Sequence, residues 1–294
     1  MEYSHRPVML EEICRYLDIK PGGRYIDGTL GGAGYTRAIS EAVGPEGLVV
    51  SFDLDQLAIE NAAKIIEEKG ISNIVLIKDS FRNLETALAE RFGEQNFDGI
   101  VFDFGLSSAQ LADEDRGFSF KGDRPLNMAF GEYDLSTADI LNRYPLLDLT
   151  RIFREYGEEK QAYRIAKAIV EERRRSAFKT TKDLTALLEK ISPRRPWMKI
   201  DPATRIFQAL RMETNDELGA ISEVLPQALS RLVKGGRFVT VSFHSGEDRL
   251  VKNFFRSSTD ALEILTKKPL VPSPEEAEEN PRSRSAKLRA AEKR

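Results

Sequence analysis

Tyr25-Ile26-Asp27-Gly28-Thr29-Leu30-Gly31-Gly32-Ala33-Gly34-Tyr35-Thr36 begins as a short apolar, aromatic run and ends as the start of an amphipathic pattern that continues through Ala38 and Ile39. Between the two lie the glycines. The spacing predicts a strand closed by Asp27, a glycine-rich turn and a helix. Glycines let a backbone approach a ligand closely, and free amides at a helix start face something polar or anionic. Glycines also make plain tight turns, so the residues downstream decide the meaning of the stretch. Leu48-Val49-Val50-Ser51-Phe52 is a second short strand, and it stops at Asp53. An acid just past the second strand of a βαβ unit is placed to accept hydrogen bonds from the ribose hydroxyls of an adenosine cofactor. The run Gly28-x-x-Gly31-Gly32-x-Gly34 departs from the dinucleotide fingerprint, and no Gly-Lys-Ser/Thr comes after it. An acid, glycines and a second acid in this arrangement suit S-adenosylmethionine. Asp27 would attract its cationic end directly or through water, and the turn amides would hold its carboxylate.

The strand and helix alternation continues. A helix over 56–69 with Ile59, Ala62 and Ile66 on its buried face leads to a strand at Asn73–Ile77. A helix over Leu84–Arg91 then leads to Phe97-Asp98-Gly99-Ile100-Val101-Phe102, which runs into Asp103. Such alternation implies a parallel sheet with ligand sites at the strand carboxyl ends. Asp27, Asp53, Asp79 and Asp103 all fall at or just beyond such ends. From about Leu111 to Met212 the pattern is helical, with Ala162, Ile165, Ala166, Ile169 and Val170 on one apolar face. A long helix then carries Leu218, Ile221, Leu225, Ala228 and Leu232. Gly235-Gly236 reads as a turn before the strand Arg237–Phe243, and a further strand covers Leu262–Leu265. The segment from Arg284 reads as an edge strand. The expected architecture is α/β: a Rossmann-like core in two parts, 1–110 and 213–294, with an inserted helical substrate-binding domain at 111–212.

Composition is that of a globular chain, 41% apolar and 31% charged over 294 residues. No apolar run is long enough to span a membrane, and no basic-then-apolar signal segment opens the sequence, so a cytoplasmic location is expected. The single Cys14 excludes an intrachain disulfide and any cysteine-based metal cluster, and is expected as a buried small hydrophobe. With only His5 and His244 as imidazoles, no metal site is expected. Charge is uneven. From Arg173 to Arg211 there are eleven Lys/Arg against three Asp/Glu, and residues 281–294 add six basic residues against one acid. The basic insert and tail together are therefore expected to form a phosphate-binding surface for RNA, although the triplet Arg173-Arg174-Arg175 alone would read as a solvated helix face. Tyr163 and Trp197 can stack on bases, although packing in a helical core is the plainer expectation for both.

Longer motifs accompany these features. They include His5-x-Pro7-Val8 with Glu11, Asp27-Gly28-Thr29, and Asp53-x-Asp55 with Ala58. Further on come Asp103-x-Gly105-x-Ser107-Ser108-x-Gln110-Leu111, Arg116-Gly117-Phe118-Ser119-Phe120 and Tyr156-Gly157-Glu158-Glu159. The last are Pro202-Ala203-Thr204-Arg205-x-Phe207-Gln208-Ala209-Leu210-Arg211, Ser242-Phe243-His244-Ser245 with Glu247-Asp248-Arg249, and Asn280–Arg289. Nearly end to end, the chain resembles the bacterial ribosomal RNA small-subunit methyltransferase H (MraW) family, which methylates the N4 amine of a cytidine in 16S rRNA. The resemblance implies a class I S-adenosylmethionine-dependent methyltransferase core. It assigns cofactor contacts to Ala33, Gly34, Tyr35, Asp53, Phe81, Asp103 and Gln110, to which Asp27 and Gly31 are added from the turn itself. Departures from the family pattern are Tyr35 for a usual His, Asn127 and Ala129 for a usual Asp and Arg, Asp201 for a usual His and Gly246 for a usual Leu.

The expected activity is methyl transfer to cytidine N4 in 16S rRNA of the small ribosomal subunit. A different RNA or amino acceptor, or a weakly active RNA-binding assembly factor, are the alternatives. Candidate catalytic residues are Asp103, Ser107, Asn127 and His244. Asp103 can serve the cofactor or the target amine. His244 can orient substrate, relay a proton or make a structural hydrogen bond. A monomer or weak homodimer is expected.

Overall fold

Strands β1 (Arg24–Asp27), β2 (Leu48–Asp53), β3 (Ile74–Lys78), β4 (Phe97–Asp103), β5 (Leu232–Ser242), β6 (Leu262–Ile264) and β7 (Lys287–Lys293) form one sheet in the order β3-β2-β1-β4-β5-β7-β6. β1 to β5 pair in parallel, while β7 runs antiparallel between β5 and β6. The structure, a computed structural model, describes residues 7–106, 114–120, 122–131, 135–194 and 201–294. The mixed sheet with covering helices is the α/β, Rossmann-like arrangement expected from the strand and helix alternation.

The inner strands read as near-continuous apolar runs because both faces of the sheet are covered. On one face, Ile13 and Leu17 of helix Leu10–Leu17 and Ile39 and Val43 of helix Gly34–Val43 pack with Val49, Val101 and Val239. On the other, Leu84 and Leu88, Val224 and Leu225, and Val251 and Phe255 come from helices Leu84–Phe92, Glu217–Ser230 and Ser245–Ser257. They meet Ile26, Val50, Ile100 and Phe238. Phe52, Phe102, Phe238 and Phe255 are fully buried, and each contributes about 1.5–3 kcal/mol by leaving water. Arg231, also buried, fixes the start of β5. Its guanidinium donates to both carboxylate oxygens of Glu85, at 2.8 and 2.7 Å, and to the Gly93 carbonyl at 2.6 Å.

The chain divides into two units, Met1–Ser108 with Leu218–Arg294, and Ala109–Glu217. The second holds helices Thr137–Arg143, Leu146–Glu155, Ala162–Glu172, Thr181–Ile191 and Pro202–Thr214. Their ends are written locally. Ser136 and Thr180 each open a capping box with an aspartate three residues on. Asp201 caps the helix at Pro202 by accepting from the Ala203 amide at 2.9 Å, which gives that departure from the family pattern a structural use. Arg173 donates to the carbonyls of Leu141 and Tyr144, at 2.9 and 2.7 Å, and closes the helix Thr137–Arg143. Asn142 does the same for residue 178, accepting from its amide and donating to its carbonyl.

Several expectations change. Gly235 and Gly236 lie inside β5, where the register against β4 shifts between Phe97 and Gly99. The extra residues are taken up as an irregularity in pairing, with no turn. Leu232 accordingly belongs to the strand, after the helix ends at Ser230. β7 is an inner strand, and β6 forms the edge. On helix Gln56–Glu68 the buried face is Ala58 and Ala62, with Ile59 packed beside them. Cys14 is half-buried. Tyr163 is 52% exposed instead of packed in the helical core, and Trp197 lies outside the described residues.

Gly28 sits where a Cβ would collide with the ring of Phe102, a ring that itself packs on Phe81, Phe104 and Phe238. Gly32 has open space around it. Gly28→Ala should therefore cost about 1–3 kcal/mol of stability, an overpacking penalty, while Gly32→Ala changes it by less than about 0.5 kcal/mol. Chemical denaturation of the two variants beside the parent checks the contrast.

Candidate active site

Asp27 ends β1 with no exposure to solvent. Its Oδ1 accepts from the Thr29 amide at 3.1 Å and its Oδ2 from the Thr36 hydroxyl at 2.6 Å. The Thr36 hydroxyl also meets Ser51 Oγ at 2.8 Å, and the Thr36 amide faces the same carboxylate. One acid thus holds the turn, the first turn of helix Gly34–Val43 and, through Thr36, strand β2. Burial raises its pKa despite these donors. The residues that satisfy Asp27 are its own neighbours, so it organises the loop.

Asp53 ends β2. Its Oδ2 accepts from the Gly31 amide at 2.9 Å and its Oδ1 from the Asp55 amide at 2.8 Å. Each oxygen keeps a second lone pair for another donor. Burial, then the charges of Asp55 and Asp27, push its pKa up to about 6, against the pull of the two amides. Gly31 has φ of 47° and Ala33 of 58°. The left-handed bend at Ala33 starts the helix without a side-chain cap, leaving the amides of Gly34 and Tyr35 pointing out of its first turn. A Cβ on Gly34 would strike the ring of Pro7. The strap from Pro7 to Met9 is fastened twice: Tyr35 Oη donates to the Val8 carbonyl at 2.6 Å, and the Met9 amide donates to Glu276 Oε1 at 2.7 Å.

Asp103 ends β4, its amide donating to Thr29 Oγ1 at 2.7 Å. Its Oδ1 is enclosed and accepts no hydrogen bond. Burial first, then the charges of Asp27 and Glu247, hold its pKa well above the carboxylate range. The Tyr35 hydroxyl faces it and is itself pushed far up by burial and by Asp103. Phe81 packs edge-on against Phe102 and Phe104. His244 caps helix Ser245–Ser257: Nδ1 accepts from the amides of Gly246 and Glu247, at 3.1 and 3.4 Å. An accepting Nδ1 leaves the imidazole proton on Nε2 in the neutral ring, 3.1 Å from Glu247 Oε1. Glu247 is fully buried, and its Oε2 accepts from the amides of Phe243 and His244.

Asp27, Asp53, Asp103 and Glu247 therefore form an acidic cluster at the carboxyl ends of β1, β2, β4 and β5. No Lys or Arg pairs with Asp27, Asp53 or Asp103 among the described residues. Such a cluster favours a cationic ligand. A sulfonium with an adjacent ammonium fits it, as do ribose hydroxyls at Asp53 and a carboxylate at the helix start.

Of the expected site residues, Asp27, Gly31, Ala33, Gly34, Tyr35, Asp53, Phe81, Asp103 and His244 all belong to this unit. Ser107 and Gln110 lie outside the described residues. Asn127 belongs to the helical unit, where it is exposed. Its neighbours are held by Asn215, which donates to the Met128 carbonyl and accepts from the Phe130 amide, both at 2.8 Å. Met128 takes φ of 54° there, and Ala129 is 6% exposed. Thr29, Thr36 and Glu247 had no expected role. Glu247 was legible as the third helical residue after a capping position, whereas the threonines carry no signal of their own.

The basic tail is mostly occupied internally. Arg289 forms a two-point pair with Asp248, at 2.7 and 3.2 Å, and Lys293 donates to the Leu232 carbonyl at 2.6 Å. Arg284 donates to the Ala277 carbonyl, and Lys287 lies 3.9 Å from Asp248.

A family model for MraW methylases matches residues 2–294. The chain belongs to the MraW methylase family. Ribosomal RNA small subunit methyltransferase H of Carboxydothermus hydrogenoformans is 43% identical over 311 residues, covering 100% of this chain and 99% of that protein. The protein of the same name from Clostridioides difficile is 40% identical over 312 residues, covering 100% of both. Among solved structures, a protein from Clostridium thermocellum described as a candidate rRNA methylase shares the fold, with a TM-score of 0.50 at 15% identity over 99% of this chain and 100% of that one. Membership of a methylase family supports S-adenosylmethionine as the methyl donor, in keeping with the acidic cluster. No helix among the described residues is long and apolar enough to cross a membrane.

Asp27, Asp53 and Asp103 all keep their protons to higher pH in the folded chain than an exposed aspartate does. Their contribution to stability is thus complete below about pH 4 and is lost as pH rises through about 6 and beyond. Asp103→Asn should raise the stability of the ligand-free protein near pH 7.5 by about 1–3 kcal/mol, since a buried carboxylate repelled by Asp27 and Glu247 gives way to a neutral amide. It should also flatten the decline with pH. Thermal melts from about pH 5 to 8 measure both. At the 127–130 loop, Asn127→Asp should alter stability by less than about 0.5 kcal/mol. Ala129→Arg should cost about 1–3 kcal/mol or more, because the arginine must open a closed site. Denaturation midpoints of the two single variants check this.

Proposed function

We propose that this chain transfers a methyl group from S-adenosylmethionine to the N4 amine of a cytidine in 16S rRNA of the small ribosomal subunit. The observation that carries the reading is similarity over the full length of the chain to relatives named ribosomal RNA small subunit methyltransferase H. The acidic cluster supports the donor half of the reaction, and the family resemblance supports the acceptor half.

When bound, S-adenosylmethionine supplies a methyl carbon on a positively charged sulfur. Asp53, with its spare lone pairs, accepts from the ribose hydroxyls. The amides of Gly34 and Tyr35 receive the carboxylate of the amino-acid portion. Asp103 directs its unpartnered Oδ1 at positive charge, which lies on the donor before transfer and on the acceptor nitrogen after it. The cytosine amine is a poor nucleophile because its lone pair is conjugated with the ring, so alignment supplies much of the acceleration. Transfer would exchange the donor's carbon–sulfur bond for a nitrogen–carbon bond, leaving a neutral thioether, and the proton lost by the amine would pass to solvent water. The base must leave its stack to present that amine. His244, committed through Nδ1 to its helix cap, serves by positioning the turn after β5.

Small-subunit particles lacking the modification, incubated with labelled S-adenosylmethionine and this protein, should gain N4-methylcytidine at one position, located by mass spectrometry. Label in a different RNA or none in rRNA would overturn the reading. Asp53→Ala should lose roughly 2–4 kcal/mol of cofactor affinity through two charge-assisted hydrogen bonds, measured by calorimetry. The parent's affinity should itself fall as pH drops below about 6, where Asp53 gains its proton.

A further inference from the structure

Between helix Ser245–Ser257 and the sheet edge at β6 lies a hollow of about 370 Å³, lined by Lys252, Phe255, Arg256, Ile264, Thr266, Lys267 and Arg289. Four of these seven residues are basic, and they come from the helix, the turn after β6 and β7. Lys252 and Arg256 stand four residues apart and so share a helix face. Arg289 is buried and held by Asp248 through Nε and Nη2, which leaves its Nη1 edge for another acceptor. Lys252, Arg256 and Lys267 form no ion pair among the described residues. The nearest acid on β6, Glu263, alternates with the lining residue Ile264 and so faces the opposite side of the sheet. Asp248 is already committed to Arg289 and Lys287.

A concavity with three unpaired cations, one pre-set guanidinium and an apolar floor selects for a compact anion. The aromatic lining residue, Phe255, is buried, so no exposed ring is there to stack a base. Charge is what this hollow reads. A phosphodiester backbone has that chemistry, and a free nucleotide would bring a base with nothing to meet it. We propose that the hollow is a second anchor for the RNA backbone, carried by the methyltransferase unit itself and separate from the basic helical insert. The inference rests on the proposed rRNA activity. It moves the phosphate contacts of the second half of the chain away from the tail, whose cations are largely spent inside the fold, and onto Lys252, Arg256 and Lys267.

The test is the triple variant Lys252→Ala, Arg256→Ala, Lys267→Ala in the full chain. Its binding to a small-subunit rRNA fragment is titrated across salt concentrations, beside a control carrying Lys64→Ala and Lys69→Ala at the opposite edge of the sheet. Each phosphate contact on a single strand adds about 0.7 to the slope of log affinity against log salt. The triple variant should show a slope shallower by about two units and at least roughly tenfold weaker binding near 100 mM salt. Affinity for S-adenosylmethionine and the melting temperature should stay as in the parent. An unchanged slope, or an equal loss in the control, overturns the inference, as does a parent that does not bind the fragment. Methyl transfer is read separately. A parent that binds RNA with a steep slope that the triple variant loses, yet methylates nothing, would sink the proposed activity and leave this anchor standing.

Discussion

The buried carboxylate of Asp27 is the constraint on which the site depends. A charge in that position has to be met by donors, and the chain supplies them from the turn it is building: the Thr29 amide, then the hydroxyl and amide of Thr36. Once those bonds form, the distance between the end of β1 and the first turn of the next helix is set. The path of the glycines between them is set as well. Thr29 then accepts from the Asp103 amide, so β4 is registered against the same turn. Ser51, through Thr36, brings in β2. Three strand ends are thereby held by one network of short polar contacts inside a Rossmann-like sheet.

The network has an electrostatic consequence. Bringing the ends of β1, β2, β4 and β5 together also brings their acids together, and among the described residues no basic side chain is paired with the three aspartates. Desolvation raises the pKa of all three, and repulsion from neighbouring acids adds to it at Asp53 and Asp103. A fold evolved for stability alone would place an arginine there, as this chain does elsewhere with Arg231 on Glu85 and Arg289 on Asp248. The difference between those satisfied pairs and the enclosed Oδ1 of Asp103 separates the architecture of the chain from its chemistry.

Much of this was legible because β1 to β4 are short apolar runs with an aspartate at or just beyond each end, and local order along the chain matches order in space. Legibility fell where partners are distant in sequence. Gly235 and Gly236 look like a turn until β4 is seen pairing with Leu232 on one side of them and with Arg237 on the other. The segment from Arg284 reads as an edge strand with cations free for phosphate, yet Lys287–Lys293 is an inner strand in which Arg289 pairs with Asp248 and Lys293 donates to the Leu232 carbonyl. Asp201, a departure from the family pattern in sequence, is a helix cap in space. Ala129 is read one way as a missing guanidinium. In the fold it is a closed position that the surrounding chain has filled.

The place of β7 in the sheet bears on how the protein is made. It pairs with β5 on one side and β6 on the other, and both neighbours leave the ribosome before it does. Until β7 arrives, β5 offers a row of unpaired amides and carbonyls, and such open edges recruit other chains. The nascent protein must therefore keep a gap in its sheet and close it with a strand that is inserted after both its flanks. Non-local pairing of this kind is slow. The interval of greatest risk for this fold falls between the completion of β6 and the docking of β7.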